Sequence, residues 1–287
     1  MILITGATGT IGRPLVAALH ARGMAVRALT RDPSRARFPE GVEVVAGDPS
    51  RPVSIAAHLA GVRAVFLNSS AIRDSCVEFA DLAKQRGVTR LVALAAYNVE
   101  QDFALQPSRH IGDRNRECEA VVEDSGLEWV SLRPQVYASM AVPLWAGQLR
   151  LGDTVSWPYA GFAEAVIDPR DVAEVAARAL VDDELLGRKP VLTGPEALTQ
   201  AEMLAVIAEV TGRPLRYEEE SVLAFVDRIA AMGLPSELAA SFVARYAAFG
   251  GQTPELSDEV PKILGRPART YRDWITDHAA VFAGPTR

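Results

Sequence analysis

The segment Ile2–Gly12, ILITGATGTIG, runs an unbroken apolar strand into three glycines spaced three apart, and a helix-patterned stretch follows. A strand apolar on successive residues suits a parallel sheet with helices on both faces. The glycines have separable roles. Gly6 permits a sharp turn out of the strand, Gly9 lets backbone N–H groups approach a pyrophosphate, and Gly12 lets the helix pack closely on the sheet. The helix N-terminus adds unpaired donors and a partial positive charge. A glycine triplet alone also fits a plain tight turn. Its place between a buried strand and an amphipathic helix is the context that makes it a dinucleotide cradle. Gly6, Thr8, Gly9, Thr10, Ile11 and Gly12 are the candidate contacts.

Strand and helix alternate through the rest of the first half. The pattern predicts strands over 25–29, 42–45, 64–67, 90–95 and 129–132, and helices over 11–22, 52–59, 74–86 and 108–124. Such alternation gives an α/β fold, a doubly wound parallel sheet of the Rossmann kind with right-handed crossovers. After Arg133-Pro134 the segments are less regular: a helix over 142–149, a strand over 165–167, a helix over 171–181, a strand over 190–192, then helices starting near Gln200, Ser221, Ser236 and Thr270. The expected organisation is a dinucleotide-binding core over 1–135 and a small, mostly helical C-terminal lobe over 136–287. That lobe is interleaved with the core and returns a strand or two to its sheet.

The chain has 287 residues, 49% of them hydrophobic, and a net charge of -6. It shows no basic stripe, so nucleic acid is not an expected partner. No apolar run reaches the roughly 18 residues of a membrane span. Met1 leads straight into a strand without a leader pattern, so a cytoplasmic protein, monomer or homodimer, is expected. Cys76 and Cys118 are too few for a disulfide framework and too far apart for a CxxC motif. Each reads as a small buried hydrophobe in a reduced protein. No metal site is expected.

The second strand ends ALTRDPSR. An acid there accepts from the ribose 2′-OH of NAD, whereas an Arg receives the 2′-phosphate of NADP. Arg31 comes first, with Arg35 a turn later, and Asp32 before Pro33 also suits a turn-shaping role. NADP(H) is therefore preferred, with NAD(H) the alternative and a solvated surface charge the plain reading of Arg31. Asp48, in VVAGDPS, either accepts from the adenine amino group or caps the helix that follows. Asn68, Ser69 and Ser70 follow the fourth strand at the carboxyl end of the sheet, where ligands sit.

These pieces together resemble the atypical short-chain dehydrogenases/reductases, in particular the NmrA-like group that includes NAD(P)H-quinone reductases. The likeness rests on GATGTIG, TRDPSR, GDPS, SGLEWVSLRPQVY, IDPRDVAEVAARAL and TGPEALTQAEMLAVIAEVTGRP. The resemblance implies a Rossmann core and a bound NAD(P)(H), with Pro134 at the end of the sixth strand among the cofactor contacts. It is less specific for activity, because the group holds reductases, isomerase-like relatives and NADP-binding redox sensors. Typical family reductases use a Tyr with a Lys four residues later, whose charge lowers the phenol from its ordinary pKa of about 10. This chain departs from that pattern. Gln101 stands four after Tyr97, and Ala95-Ala96 replace the usual Ser or Thr. Asn115 occupies the place of the Lys. On the predicted helix Asn115 shares a stripe with Ile111, Cys118 and Val122, so it is a polar group on a buried face and needs partners. A nicotinamide ribose, a water or a structural contact would serve. His110 either reaches substrate or lies on the surface. Glu119 caps, pairs with Arg116 or orients Asn115. Tyr97, His110 and Asn115 are the candidate catalytic residues.

Ketone reduction makes an alkoxide of high pKa that needs a strong partner, whereas quinone reduction makes a delocalised phenolate-like anion that needs less. The missing Lys therefore points to a quinone or a conjugated aromatic carbonyl reduced by NADPH. A non-catalytic NADP(H) sensor, and an isomerase or cyclase step in aromatic natural-product synthesis, are the rivals. Tyr137, Met140, Trp145, Trp157 and Tyr159, with Tyr97, either wall a flat substrate or form the core between the lobes. Phe162, Phe225, Phe242 and Tyr246 are lid candidates. Asp168 and Asp171 read as turn and cap residues.

Overall fold

A computed structural model of the protein describes residues 1–284. Its centre is a parallel sheet of β1 (Ile2–Ile4), β2 (Val26–Thr30), β3 (Glu43–Ala46), β4 (Ala64–Asn68), β5 (Arg90–Leu94) and β6 (Glu128–Pro134). β7 (Thr154–Trp157) and β8 (Ala163–Glu164) lie outside this sheet, and β9 (Val191–Leu192) returns to it. The seven strands run in the order β3-β2-β1-β4-β5-β6-β9. The order reverses between β1 and β4, which opens the crevice at their carboxyl ends where such folds bind ligands.

Helices cover both faces. α1 (Gly12–Ala21) packs on one face, α2 (Ser69–Ile72) is a single turn, and α3 (Cys76–Gln85) and α4 (Asn115–Asp124) pack together on the other. α5 (Gly147–Leu149) is a short turn at the end of a loosened stretch over Val142–Ala146. α6 (Pro169–Val181) returns to the sheet beside α1. β10 (Leu198–Thr199) pairs with β8, α7 (Gln200–Thr211) follows, and β11 (Arg216–Glu219) pairs with β7. α8 (Val222–Ala231), α9 (Ser236–Phe249), α10 (Glu259–Leu264) and α11 (Tyr271–Asp277) complete the chain. The doubly wound α/β fold expected from the alternation is present. α6 and β9 belong to the sheet layers although they follow residue 135. α7, α8, α9 and α11 surround a separate core containing Trp145, Trp157 and Phe225.

Three local expectations need correction. The helix predicted over 108–124 is two pieces. Pro107–Ile111 makes a tight helical turn, Gly112 breaks it at φ 110°, and α4 begins at Asn115. Gly112 tolerates that left-handed backbone and a side chain would not. Ile111 is consequently exposed and stands off the buried stripe that Asn115, Cys118 and Val122 form. Second, Cys76 and Cys118 are buried as expected, but they are bonded to each other, with their Cα atoms 5.5 Å apart. The packing of α3 on α4 joins residues 42 apart in sequence, a proximity that no local spacing reveals. Third, Asp168 caps α6 by accepting from Arg170 N at 2.7 Å, but Asp171 is no cap. It is fully buried and holds Arg266 and Arg269 of the C-terminal segment.

Candidate active site

The glycine loop leaves β1 at Thr5, whose hydroxyl donates to Phe66 O at 2.8 Å and accepts from Asn68 N at 2.9 Å. That clamp fixes the ends of β1 and β4 on either side of the crevice. Gly6 turns the chain at φ 64°, and a Cβ there would stand 2.9 Å from Asn68 Nδ2. A Cβ on Gly12 would meet Gly6 O at 2.1 Å and the Ala7 backbone at 2.7 Å. The third glycine thus lets the helix start against its own loop, a closer constraint than the helix–sheet contact expected for it. Gly9 and Thr10 are exposed at the rim, with Ile11 buried beneath them.

A cleft of about 660 Å³ continues from this loop, lined by Gly6, Thr8, Arg31, Asp48 and Ser70 from the expected set. Arg13, Arg35 and Arg73 line it too, so four guanidinium groups face one crevice. Arg31 is exposed. Asp32 accepts from Ser34 N at 3.0 Å and Ser34 Oγ at 2.6 Å, so its carboxylate is engaged in the turn. Asp48 likewise accepts from Ser50 N at 3.0 Å and Ser50 Oγ at 2.7 Å. The bond from Ser50, outweighing burial, holds its carboxyl below the usual range. Asp48 therefore closes its own turn rather than capping the next helical segment, and it remains on the cleft wall. A pyrophosphate fits the exposed glycine backbone, and a further phosphate fits the arginines.

Asn68 caps α2 by accepting from Ser70 N at 3.1 Å. Ser69 Oγ donates to Asn115 Oδ1 at 2.5 Å, and Ser70 Oγ bonds Asp113. The start of α4 is thus pinned to the end of β4, which brings Asn68, Ser69, Ser70 and Asn115 to one edge. Pro134 ends β6 on the same edge, and its carbonyl accepts from Tyr97 N at 3.1 Å. Glu119 takes none of its three expected roles. It accepts from Arg133 at 2.6 and 2.9 Å and from Ser131 Oγ at 2.6 Å, joining α4 to β6. His110 lines neither this cleft nor the next.

Tyr97 lines a second cleft of about 910 Å³, between the ends of β6 and β9 and the lobe. Its hydroxyl accepts from Arg245 Nε of α9 at 2.8 Å. Arg245 pairs with Glu164 at 2.7 Å, both almost fully buried, and Gln200 Nε2 donates to Glu164 at 3.1 Å. Burial pushes the Tyr97 phenol above its ordinary range while the Arg245 charge opposes that rise. The remaining expected wall residues divide. Tyr137, Met140 and Trp145 line a small cavity beside this cleft. Trp157 is core, its Nε1 donating to Tyr246 Oη at 3.1 Å, and Phe225 and Phe242 pack edge-on against it. Tyr159 stands at φ 58° with its ring 5.3 Å from that of Tyr246. Phe162 packs on Arg245 and lines the large cleft.

Arg13, Arg73, Arg245 and Glu164 escape a reading of the sequence. Arg13 carried a usable signal: a cation in the first turn of a helix opposes the helix dipole, which an anion bound there would reverse. Arg245 and Glu164 lie 148 and 67 positions from Tyr97 and carry no local signal.

The reversed strand order, the glycine cradle and the arginine-lined crevice define a dinucleotide-binding protein. A family of NAD(P)H-binding proteins matches residues 6–183. The chain belongs to this family and stands among its NAD(P)H-dependent oxidoreductases. It is 38% identical over 285 residues to a (4-alkanoyl-5-oxo-2,5-dihydrofuran-3-yl)methyl phosphate reductase of Streptomyces griseus, covering 99% of each chain. It is 32% identical over 288 residues to an NAD(P)H azoreductase of Xenophilus azovorans, covering 98% of this chain and 99% of that one. Its fold matches an NADPH-dependent quinone oxidoreductase of Escherichia coli complexed with NADPH, with a TM-score of 0.79 and 23% identity over 97% and 99% of the two chains. Among the described residues no helix is long and apolar enough to cross a membrane.

Proposed function

We propose that the protein is an NADPH-dependent reductase of a quinone or a related conjugated carbonyl compound, with Tyr97 supplying the proton. The observation that carries this reading is the hydrogen bond from Arg245 Nε to Tyr97 Oη at 2.8 Å, on the wall of the large cleft next to the end of β6. Bound NADPH supplies the hydride. The residues of the chain then have three tasks. Arg31 and Arg35 take the 2′-phosphate, since Asp32 is already engaged by Ser34. Asn115 and the serines after β4 orient the nicotinamide end. Tyr97 donates one proton to the acceptor oxygen as the hydride arrives. Arg245 occupies a lone pair of the phenol, so the O–H is free to point into the cleft. Its charge steadies the tyrosinate left behind until solvent returns the proton.

This arrangement is weaker than a Tyr–Lys pair, because Arg245 is already neutralised by Glu164. It suits an acceptor whose anion is delocalised, in which positioning provides most of the rate. The acceptors named for the relatives, an alkanoyl-oxo-dihydrofuran, an azo compound and a quinone, share that conjugation. Replacing Tyr97→Phe should lower kcat with a quinone by about 100-fold, the lower range for a lost general acid. Affinity for NADPH should be unchanged. Wild-type turnover in the variant would remove Tyr97 from the mechanism.

A further inference from the structure

Among the described residues, two that are not glycine take up a left-handed backbone, Arg73 and Tyr159. Such a backbone is strained for any residue with a Cβ, and folds keep it where the side chain is needed. Tyr159 has a return from the fold, since its ring packs on that of Tyr246. Arg73 ends the single turn α2 at φ 57° and ψ -130°, a place that helices commonly give to glycine. Its guanidinium has no such return. Arg73 is exposed, and among the described residues its guanidinium has neither a hydrogen bond nor an ion pair. The acids beside it are engaged elsewhere: Asp74 pairs with Arg114 at 2.6 Å, and Asp113 holds Ser70. The guanidinium lies beside Gly112, where a Cβ would stand 3.8 Å from Arg73 Cζ.

The strand order sets what Arg73 flanks. β2 and β4 lie on opposite sides of β1. Arg31 and Arg35 follow β2, whereas Arg73 follows β4 through α2. The glycine loop leaves β1 between them. It touches the β4 side, for a Cβ on Gly6 would stand 2.9 Å from Nδ2 of Asn68, the residue that caps α2. Gly6, Thr8, Arg31, Arg35 and Arg73 all line the one cleft. A pyrophosphate on the glycine loop therefore has Arg73 to its β4 side. Arg31 and Arg35 stand to its β2 side, where the adenosine ribose belongs. Arg13, the remaining guanidinium of the cleft, has its Nε committed to Thr8 O at 2.9 Å.

We infer that Arg73 is a clamp on the pyrophosphate of the cofactor, held in a strained turn so that its guanidinium is available on the β4 side of the crevice. The inference rests on the cofactor site and not on the reductase reading above. A guanidinium meets two phosphate oxygens at once and brings a full charge, which the backbone N–H groups of the glycine loop lack. NADPH and NADH share the pyrophosphate, and only NADPH carries the 2′-phosphate. Arg73 therefore sets how tightly either cofactor is held, while Arg31 sets which one is chosen.

The test titrates NADPH and NADH into the full-length wild type, Arg73→Ala, Arg73→Gly and Arg31→Ala, and records the Tm of each without cofactor. Both Arg73 variants should raise the Kd for NADPH and for NADH by about tenfold or more, the scale of a lost hydrogen bond to a charged group. The factor should be the same for the two cofactors, whereas Arg31→Ala should weaken NADPH alone. Both Arg73 variants lose the guanidinium, but glycine alone relieves the backbone. Without cofactor, Arg73→Gly should therefore melt above Arg73→Ala. Wild-type Kd values in the two Arg73 variants would overturn the clamp. So would a loss confined to NADPH, which would move Arg73 to the 2′-phosphate, or a glycine variant that melts below the alanine variant. None of these readouts uses turnover, so they stand or fall apart from the reductase reading.

Discussion

Arg31 and Asp32 are neighbours with opposite implications for the cofactor, and their contacts separate them. Asp32 is engaged in a turn with Ser34, while Arg31 remains exposed on the cleft wall with three other arginines. Arg31→Ala should therefore raise the Kd for NADPH by about tenfold or more, the worth of one hydrogen bond to a charged group. The Kd for NADH should move little. Titration of both cofactors into the variant checks this, and equal losses would detach Arg31 from the 2′-phosphate. At the same scale, Tyr97 was visible in the sequence as a tyrosine without its lysine. Arg245 was not visible, because α9 brings it across from the far lobe.

Element by element, the sheet was legible and the joints were not. The strands and α1 follow from apolar runs, glycine stops and helical periodicity, which are local properties. The break at Gly112 depends on what anchors α4, namely Ser69 and Ser70 at the end of β4, and these are tertiary contacts. Glu119 is a second joint. Burial raises its carboxyl, but the bonds from Arg133 and Ser131 win and hold it below its ordinary value of 4.5. A carboxylate depressed on folding contributes stability above that value and loses it as pH falls through the native value. Glu119→Gln should destabilise the protein by about 2–3 kcal/mol at neutral pH, the scale of a lost charged hydrogen bond. The difference from wild type should vanish below the native value of the carboxyl. Denaturant midpoints across that range measure it, and a pH-independent difference would contradict the linkage. The bond between Cys76 and Cys118 is a third joint. Protein denatured without reductant should show no free thiol, and reduction should cost up to about 4 kcal/mol by the loop-entropy relation. Finding two thiols in the unreduced, denatured chain would contradict it.

The whole molecule is a cofactor-binding sheet and a helical lobe with separate cores, held together by chain that passes back and forth. α6 and β9 return to the sheet after the first lobe segments, and Asp171 of α6 then holds Arg266 and Arg269 from the C-terminal segment. The proposed acceptor site lies where these parts meet, with Tyr97 from the sheet and Arg245, Glu164 and Gln200 from the lobe. Composition and periodicity described each half, but the meeting place depends on long-range packing and became legible only in three dimensions. Whether the halves work together as a reductase is decided by mixing the protein with NADPH and a panel of quinones and conjugated carbonyl compounds, and following the loss of reduced-nicotinamide absorbance. Saturable NADPH oxidation is expected with at least one conjugated acceptor, with one hydride consumed per acceptor reduced. Tight NADPH binding with only background oxidation across the whole panel would contradict it.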